Sequence, residues 1–388
     1  MLQTVFVYSF LAFSLFSISK LMTKTNNITY KILNITLILL YTLIFGFRYG
    51  VGTDYLNYLD IYENWGYGID EESRLELGFS AILSFCSDLN LSKGWLFSIL
   101  SFLQIFILSI AINKRENIAP YIYLSFIILG IGIQTYNNII RQAIAFSIFV
   151  VAVDSIVEKQ MIKYLIFITL ATLFHKSAIL LYPVYFLFVR ADNYFKDIKI
   201  QLVLLCCSYI LFFVNIFDVV VGYFDSFIIF LGYDNYLDSD FLLVDKSFSI
   251  NNIFIILFQI VIIVCSLKVK EYYKDRYLNI VYDLFFVALC LSNIFRGSES
   301  ITRILGYFSL LNFIVCGYYL NYFIKNYLSS YMTAISYFYF VFYLCVTFSY
   351  FVLYKSYDNC IRYATIFQTE LYDEQEMMQY DVQQNILN

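Results

Sequence analysis

The chain has 388 residues, 61% of them hydrophobic and only 14% charged, with a formal charge of −4. An ordinary globular domain is about a quarter charged, so a water-soluble fold is excluded at the outset. A mean hydropathy of +0.71 and several long apolar runs place the chain in a bilayer, where about 20 apolar residues cross a ~30 Å hydrocarbon core as a helix.

In chain order the apolar runs fall near 1–19, 31–47, 95–112, 118–133, 139–156, 163–174, 177–189, 200–217, 251–267, 278–295, 301–324 and 331–354. They predict an all-α integral membrane protein of about 11–12 transmembrane helices. The first run reads as a retained span: no basic residue precedes it, no small-x-small exit follows, and Lys20 and Lys24 come after it. Residues 76–88, ELGFSAILSFCSD, are too short to span and read as an amphipathic helix in the interface. The stretch 163–189 is either one span centred on His175 or two short helices meeting at His175 and Lys176. Its flanks are basic on both sides (Lys159 and Lys163; Arg190, Lys196 and Lys199), which requires an even number of crossings and favours two short, re-entrant helices. One polytopic domain is therefore expected over 1–354, with outer loops 48–94 and 218–250 and an external tail, 355–388.

Alternating the loops across the bilayer sorts the 25 Lys and Arg into two sets. One holds Lys20, Lys24, Lys31, Lys114, Arg115, Lys159, Lys163, Arg190, Lys196, Lys199, Lys268, Lys270, Lys274, Arg276 and Lys325, concentrated in short loops. The positive-inside rule assigns that set to the cytoplasm and both termini to the outside. The outer set is Arg48, Arg74, Lys93, Arg141, Lys176, Lys246, Arg296, Arg303, Lys355 and Arg362. It is richer in Arg than the inner set. Topology needs only positive charge, so a preference for the planar, forked guanidinium points to bidentate binding of phosphate or carboxylate.

Several chemistries find no support. The cysteines show no CxxC spacing, so a disulfide framework or zinc site is not expected. There is no P-loop, dinucleotide fingerprint, G-x-S-x-G or HExxH, and no basic patch for nucleic acid. Asp238-Ser239-Asp240 has the DxD form of a metal-holding loop but reads as a solvated one.

Four constellations carry the remaining polar chemistry. FRYGVGTDYLNY (47–58) places Arg48, Asp54 and Tyr55 around two glycines; it is either a glycine-rich exit from a span or part of a site. Asn137, Asn138, Arg141 and Gln142 share about one helical turn, and Arg141 either snorkels to the interface or serves a ligand. His175, the only histidine, interrupts an apolar run and is either structural or a proton acceptor. Arg296, Glu299 and Arg303 flank one outer turn, as a helix-surface ion pair or a diphosphate clamp.

In order, FRYGVGTDYLNY, the E-x-G-F element LELGFSAIL, the R-Q-x-I-A element NNIIRQAIAF and the F-H-x-S-A element LFHKSAILL resemble the EpsG family of exopolysaccharide and capsule polymerases. That family is related to Wzy-type polymerases and O-antigen ligases. The resemblance covers about 1–325; it departs at Leu77, where the family form is E-P-G-F, and the tail YATIFQTELYD lacks the proline of the family's C-terminal segment. It implies a GT-C-like, multi-span glycosyltransferase of the bacterial cytoplasmic membrane with its site facing outward and no cofactor or metal. The implied donor and acceptor are undecaprenyl-diphosphate-linked oligosaccharides, with a chain-length regulator as a further candidate partner. His175 is the implied base, with Asp54 or Glu76 next; Arg141, Arg296, Arg303 and Arg48, with Gln142, Asn138 and Tyr55, are the implied diphosphate and substrate ligands. Two rival functions stay open on the sequence: a flippase for lipid-linked oligosaccharide and a membrane O-acyltransferase.

Overall fold

The structure, a computed structural model, describes residues 2–66, 75–190, 193–213, 250–296, 299–353 and 363–367. Nearly all of the outer loop expected at 218–250, the DxD stretch, Arg74 and most of the tail lie outside the described residues.

Every regular element among the described residues is a helix, as a chain in hydrocarbon requires, because a helix satisfies its backbone polar groups internally. In chain order these are α1 (Leu2–Met22), α2 (Asn27–Gly46), α3 (Tyr55–Glu63), α4 (Leu77–Asp88), α5 (Lys93–Asn113), α6 (Ala119–Ile128), the single turn α7 (Tyr136–Asn138), α8 (Ile140–Val157), α9 (Met161–Thr172), α10 (Tyr182–Phe188), α11 (Ile198–Phe213), α12 (Ile250–Tyr273), α13 (Arg276–Ile294), α14 (Glu299–Ser309), α15 (Asn312–Asn326) and α16 (Tyr331–Leu353). The all-α membrane class expected from the sequence is what the chain adopts. Among the described residues eight helices are long and apolar enough to cross, or nine if the bent pair 119–128 and 131–138 makes one span. One expected run is too short to cross: α9 is a 12-residue helix, about 18 Å at 1.5 Å per residue, while the run 200–217 extends beyond the described residues.

Which face of a helix turns inward follows the polarity of its residues. On α5, Ser98, Ser101, Gln104 and Ser109 are buried while Trp95, Phe102, Phe106 and Ile110 are exposed. On α1, exposed Leu2, Phe6, Phe10 and Phe13 oppose buried Tyr8, Leu11, Leu15 and Ser19. Apolar residues on the exposed face and polar ones inside are the arrangement lipid selects, since an unpaired polar group in hydrocarbon costs several kcal/mol.

The described helices sort into two compact units. The first comprises 1–152, 165–178 and 344–388; the second comprises 153–164 and 179–343. In the first, α2 packs on α5, and α1 packs on both α2 and α6. Residues 363–366 of the tail join this unit: Tyr363 N donates to Thr4 Oγ1 at 3.0 Å, and its hydroxyl to Ile44 O at 2.7 Å. In the second, α13 packs on α11, α14 and α15, and α12 on α11 and α15. Buried amides there pair with one another, as Gln259 Nε2 does with Asn293 Oδ1 at 3.3 Å.

The feature that positions the site is a broken helix in the first unit. At Gly130, with φ +74°, the chain turns by 68° and resumes as a short π-helical turn, Ile131–Thr135. A Cβ at Gly130 would lie 2.7 Å from the Phe351 ring, so conformation and space both demand glycine. The break frees backbone carbonyls that α-helix would have used, and side chains take them over. Tyr41 donates to Gly132 O at 2.9 Å, Asn137 to Ile133 O, and Gln104 to Tyr136 O at 2.9 Å. Irregular backbone in a membrane protein persists only where such donors exist.

Candidate active site

Three sequence elements far apart in the chain converge in the first unit on one carboxylate, Glu76. Its Oε2 lies 2.6 Å from Arg141 Nη1, and its Oε1 lies 3.3 Å from His175 Nδ1. The Lys176 backbone N–H donates to Oε1 at 3.1 Å. Glu76 is almost fully buried, His175 and Arg141 partly so.

Each element is shaped to make this meeting. Glu76 immediately precedes α4, in extended backbone, and its carbonyl accepts from Phe79 and Ser80 N–H at 3.0 Å. Its carboxylate, unused as a helix cap, is left to reach outward from the helix start, where the helix dipole favours negative charge. Gly78 then lets α4 dock against the segment before His175. Its N–H donates to Leu173 O at 2.7 Å, and a Cβ at this position would stand 2.8 Å from that oxygen. Phe79, fully buried, lies under the Arg141 guanidinium at 5.7 Å. Every named letter of the E-x-G-F element thus has a partner in the R-Q or F-H-x-S element. Leu77, at the position where the family form carries proline, is exposed and the helix starts there regardless.

Around His175 the chain takes the second of the two arrangements open to 163–189, a pair of short helices: α9 ends at Thr172 and a 3₁₀ turn runs from Lys176 to Leu181. The break exposes the Lys176 N–H to Glu76 and holds the imidazole beside it. Arg141 occupies the first turn of α8, just after the broken helix. Beyond Glu76 it hydrogen-bonds the Tyr58 hydroxyl, and its Nε has no partner among the described residues. Tyr58, whose ring meets Phe79 edge-on at 5.7 Å, does not stand out in the sequence. The available signal is its place three residues after Tyr55 on one face of α3.

Burial pushes the Glu76 carboxyl up, but the His175 hydrogen bond, the Arg141 charge and the Lys176 N–H outweigh it and hold the group at about 2. Glu76 is therefore a fixed anion at any working pH, suited to orient and stabilise cations and unsuited to exchange a proton.

The other residues expected at the site are distributed as follows. Arg48 is fully buried and turned into the protein: Nε donates to Val51 O at 3.2 Å, Nη1 to Phe45 O and Nη2 to Asn137 O at 3.5 Å. Its guanidinium lies 4.9 Å from the Phe97 ring, and its backbone bridges Thr365 of the tail. Tyr55 is buried and stacked on Phe97 at 4.5 Å. Asn138 Oδ1 accepts from Thr53 N–H at 3.1 Å, which shapes the Gly52 turn. Asp54 is half-exposed ahead of α3, and Gln142 is buried beside Arg141. Arg48, Tyr55 and Asn138 thus form a supporting layer next to the Glu76 cluster. Arg296 and Arg303 belong to the second unit, where Arg296 is exposed and donates to Asn252 Oδ1 at 2.5 Å.

No curated protein and no solved structure is detectably similar to the chain. The EpsG family model, by contrast, matches residues 31–365, a stretch that holds Glu76, Arg141, His175 and the Arg48 layer, and the chain belongs to that family, which makes it a polysaccharide polymerase-like membrane protein.

Proposed function

We propose that the chain polymerises undecaprenyl-diphosphate-linked repeat units into exopolysaccharide or capsule at the outer face of the bacterial cytoplasmic membrane, by metal-independent glycosyl transfer. The convergence of Glu76, Arg141 and His175 supports this reading most. An imidazole whose Nδ1 stands 3.3 Å from a permanent carboxylate presents its other nitrogen as a base, while the carboxylate stabilises the imidazolium that forms. His175 takes the proton of an acceptor sugar hydroxyl. The hydroxyl oxygen bonds to the anomeric carbon of the donor, and the bond from that carbon to the diphosphate breaks. Undecaprenyl diphosphate leaves with the electron pair, and Arg141 offsets its charge with the donors that Glu76 and Tyr58 leave unused. Glu76 acts through its neighbours as a positioning residue, and Arg48 fixes the loop that carries Asp54.

The test is turnover by purified enzyme on lipid-linked repeat units. H175A is expected to cost about 10²–10⁴ in rate, the usual worth of acid–base catalysis. E76Q is expected to cost less in the H175A background than in the parent, because part of its effect runs through His175 and the rest through Arg141. Unchanged turnover in H175A, or fully multiplicative losses, would remove this assignment. In cells, a deletion mutant should accumulate single repeat units on the outer leaflet. Accumulation on the inner leaflet would indicate a flippase, and full-length polymer lacking only acyl groups an O-acyltransferase.

A further inference from the structure

The second unit carries a basic pocket that polymerase chemistry does not use. It is a cavity of about 490 Å³ whose lining includes Lys196, Lys270, Lys274, Arg276 and Glu271, four cations against one carboxylate. The loop 274–275 joins α12 to α13, two helices each long enough to cross a bilayer. The pocket therefore lies at a membrane–water boundary whichever side that is.

The floor and wall are built from groups that are already paired. Lys270, buried in the last turn of α12, donates to Asp283 Oδ1 at 2.9 Å and to Asn193 Oδ1 at 2.8 Å. Asp283 Oδ2 accepts from Tyr194 N–H at 2.6 Å, which ties the 193–194 segment to both helices. Arg276, in the first turn of α13, donates to Val157 O and Val189 O at 2.6 Å each, and so fastens the ends of α8 and α10. Two cations are left over. Lys196 and Lys274 are exposed, and their ammonium groups have no partner among the described residues. Lys274 stands in left-handed backbone, φ +49°, where its N–H closes α12 on Lys270 O at 2.9 Å. One further group is unmet: Asn279 also lines the cavity, and its Oδ1 is buried with no partner among the described residues.

Membrane topology by itself asks only for positive charge near the ends of spans. It does not ask for a concave site with a hydrogen-bonded floor, two unpaired ammonium groups and a buried carbonyl acceptor. We propose that this pocket binds a phosphate diester or monoester, with the headgroup of an anionic phospholipid as its resident ligand. Lys196 and Lys274 neutralise the phosphate, which leaves a phosphoglycerol headgroup net negative and is already offset by the choline in a phosphocholine. The inference rests on the second unit alone and is independent of the polymerase reading.

The experiment uses purified full-length protein reconstituted in mixed phosphatidylcholine–phosphatidylglycerol bilayers, released, and weighed by native mass spectrometry with its retained lipid. Preferential retention of one phosphatidylglycerol, weakened about thirty-fold in K196Q/K274Q by the loss of two cations, is the expected result. Both lysines are exposed, so the variant should keep the helix content and melting temperature of the parent. Binding of inorganic phosphate, lost in the same variant and without lipid selectivity, would keep the site and assign its ligand to free phosphate. Equal retention of both lipids with no phosphate binding, or phosphatidylglycerol retention unchanged in K196Q/K274Q, would overturn the proposal.

Discussion

At the scale of single residues, Glu76 controls how the cluster responds to pH. Its folded value of about 2 lies below the ordinary 4.5. A depressed carboxyl contributes stability that is full above its unfolded value and is lost as pH falls from 4.5 through about 2. The shift corresponds to something on the order of 3 kcal/mol for this buried group. The melting temperature of the wild type in detergent should therefore fall across that acid range more steeply than that of E76Q, while E76Q starts lower at pH 7. Parallel acid limbs for the two proteins would mean that the ion pair is not formed. Arg141 is subject to a geometric test. A lysine can keep the charge opposite Glu76 but cannot also reach Tyr58 and a diphosphate with a planar fork. R141K should remain in the membrane and lose most polymer; near-normal polymer would remove Arg141 from the site. Charge and residue type made Arg141 and His175 legible as candidates in the sequence. The inward turn of Arg48 was not legible, because its partners are backbone carbonyls, which leave no trace in residue identity.

At the scale of elements, α4 connects sequence motif to site geometry. Leu77 is the first residue of α4, is exposed, and follows Glu76 at φ −72° and ψ 143°. That is the extended conformation a following proline imposes, and the first helical position is where proline is best accepted. L77P should therefore be neutral or stabilising by up to about 1 kcal/mol, with polymer formation intact. One residue later the opposite holds. In G78A the new methyl meets Leu173 O at 2.8 Å, and since that oxygen is backbone, α4 must back away from the His175 break. Polymer should drop sharply although every charged residue remains, with a stability loss of about 1–3 kcal/mol from overpacking. Equal behaviour of the two variants, read as polymer yield and melting temperature, would show that the docking of α4 does not set the site. The helical nature of 77–88 was legible from its length and apolar pattern. Its docking partner was not, since the contact runs between a glycine N–H and a carbonyl almost a hundred positions away. The break at Gly130 was hidden for a related reason: the run 118–133 is uniformly apolar, and a glycine within it marks a turn only once Tyr41, Asn137 and Gln104 are seen to claim the freed carbonyls.

At the scale of the whole molecule, the question is sidedness, and the contacts within each unit bear on it. In the first unit, Glu76, Arg141, His175 and Arg48, all assigned to one side by the distribution of Lys and Arg, interact among themselves or through Asn137. Lys20 donates to Tyr121 and Asn113 to Asn34, pairs drawn from helix ends assigned to the other side. In the second unit, Arg276 meets the carbonyls of Val157 and Val189, and Lys270 meets Asn193, again all from one assigned side. A wrong alternation would have put at least one of these pairs a bilayer's thickness apart, so the contacts within each unit agree with the charge-based alternation, and its direction is left to be measured. That direction follows from two introduced cysteines in a parent chain whose own cysteines are replaced. Asp54 is half-exposed and Lys274 exposed, so both positions should react once a reagent reaches them. With a membrane-impermeant maleimide, D54C should label in intact cells and K274C only after permeabilisation. The reverse pattern would invert the protein and place the Glu76 cluster on the cytoplasmic face, where polymerisation of exported repeat units could not occur. Labelling of both in intact cells would break the alternation itself, and with it the assignment of the basic loops to the inside.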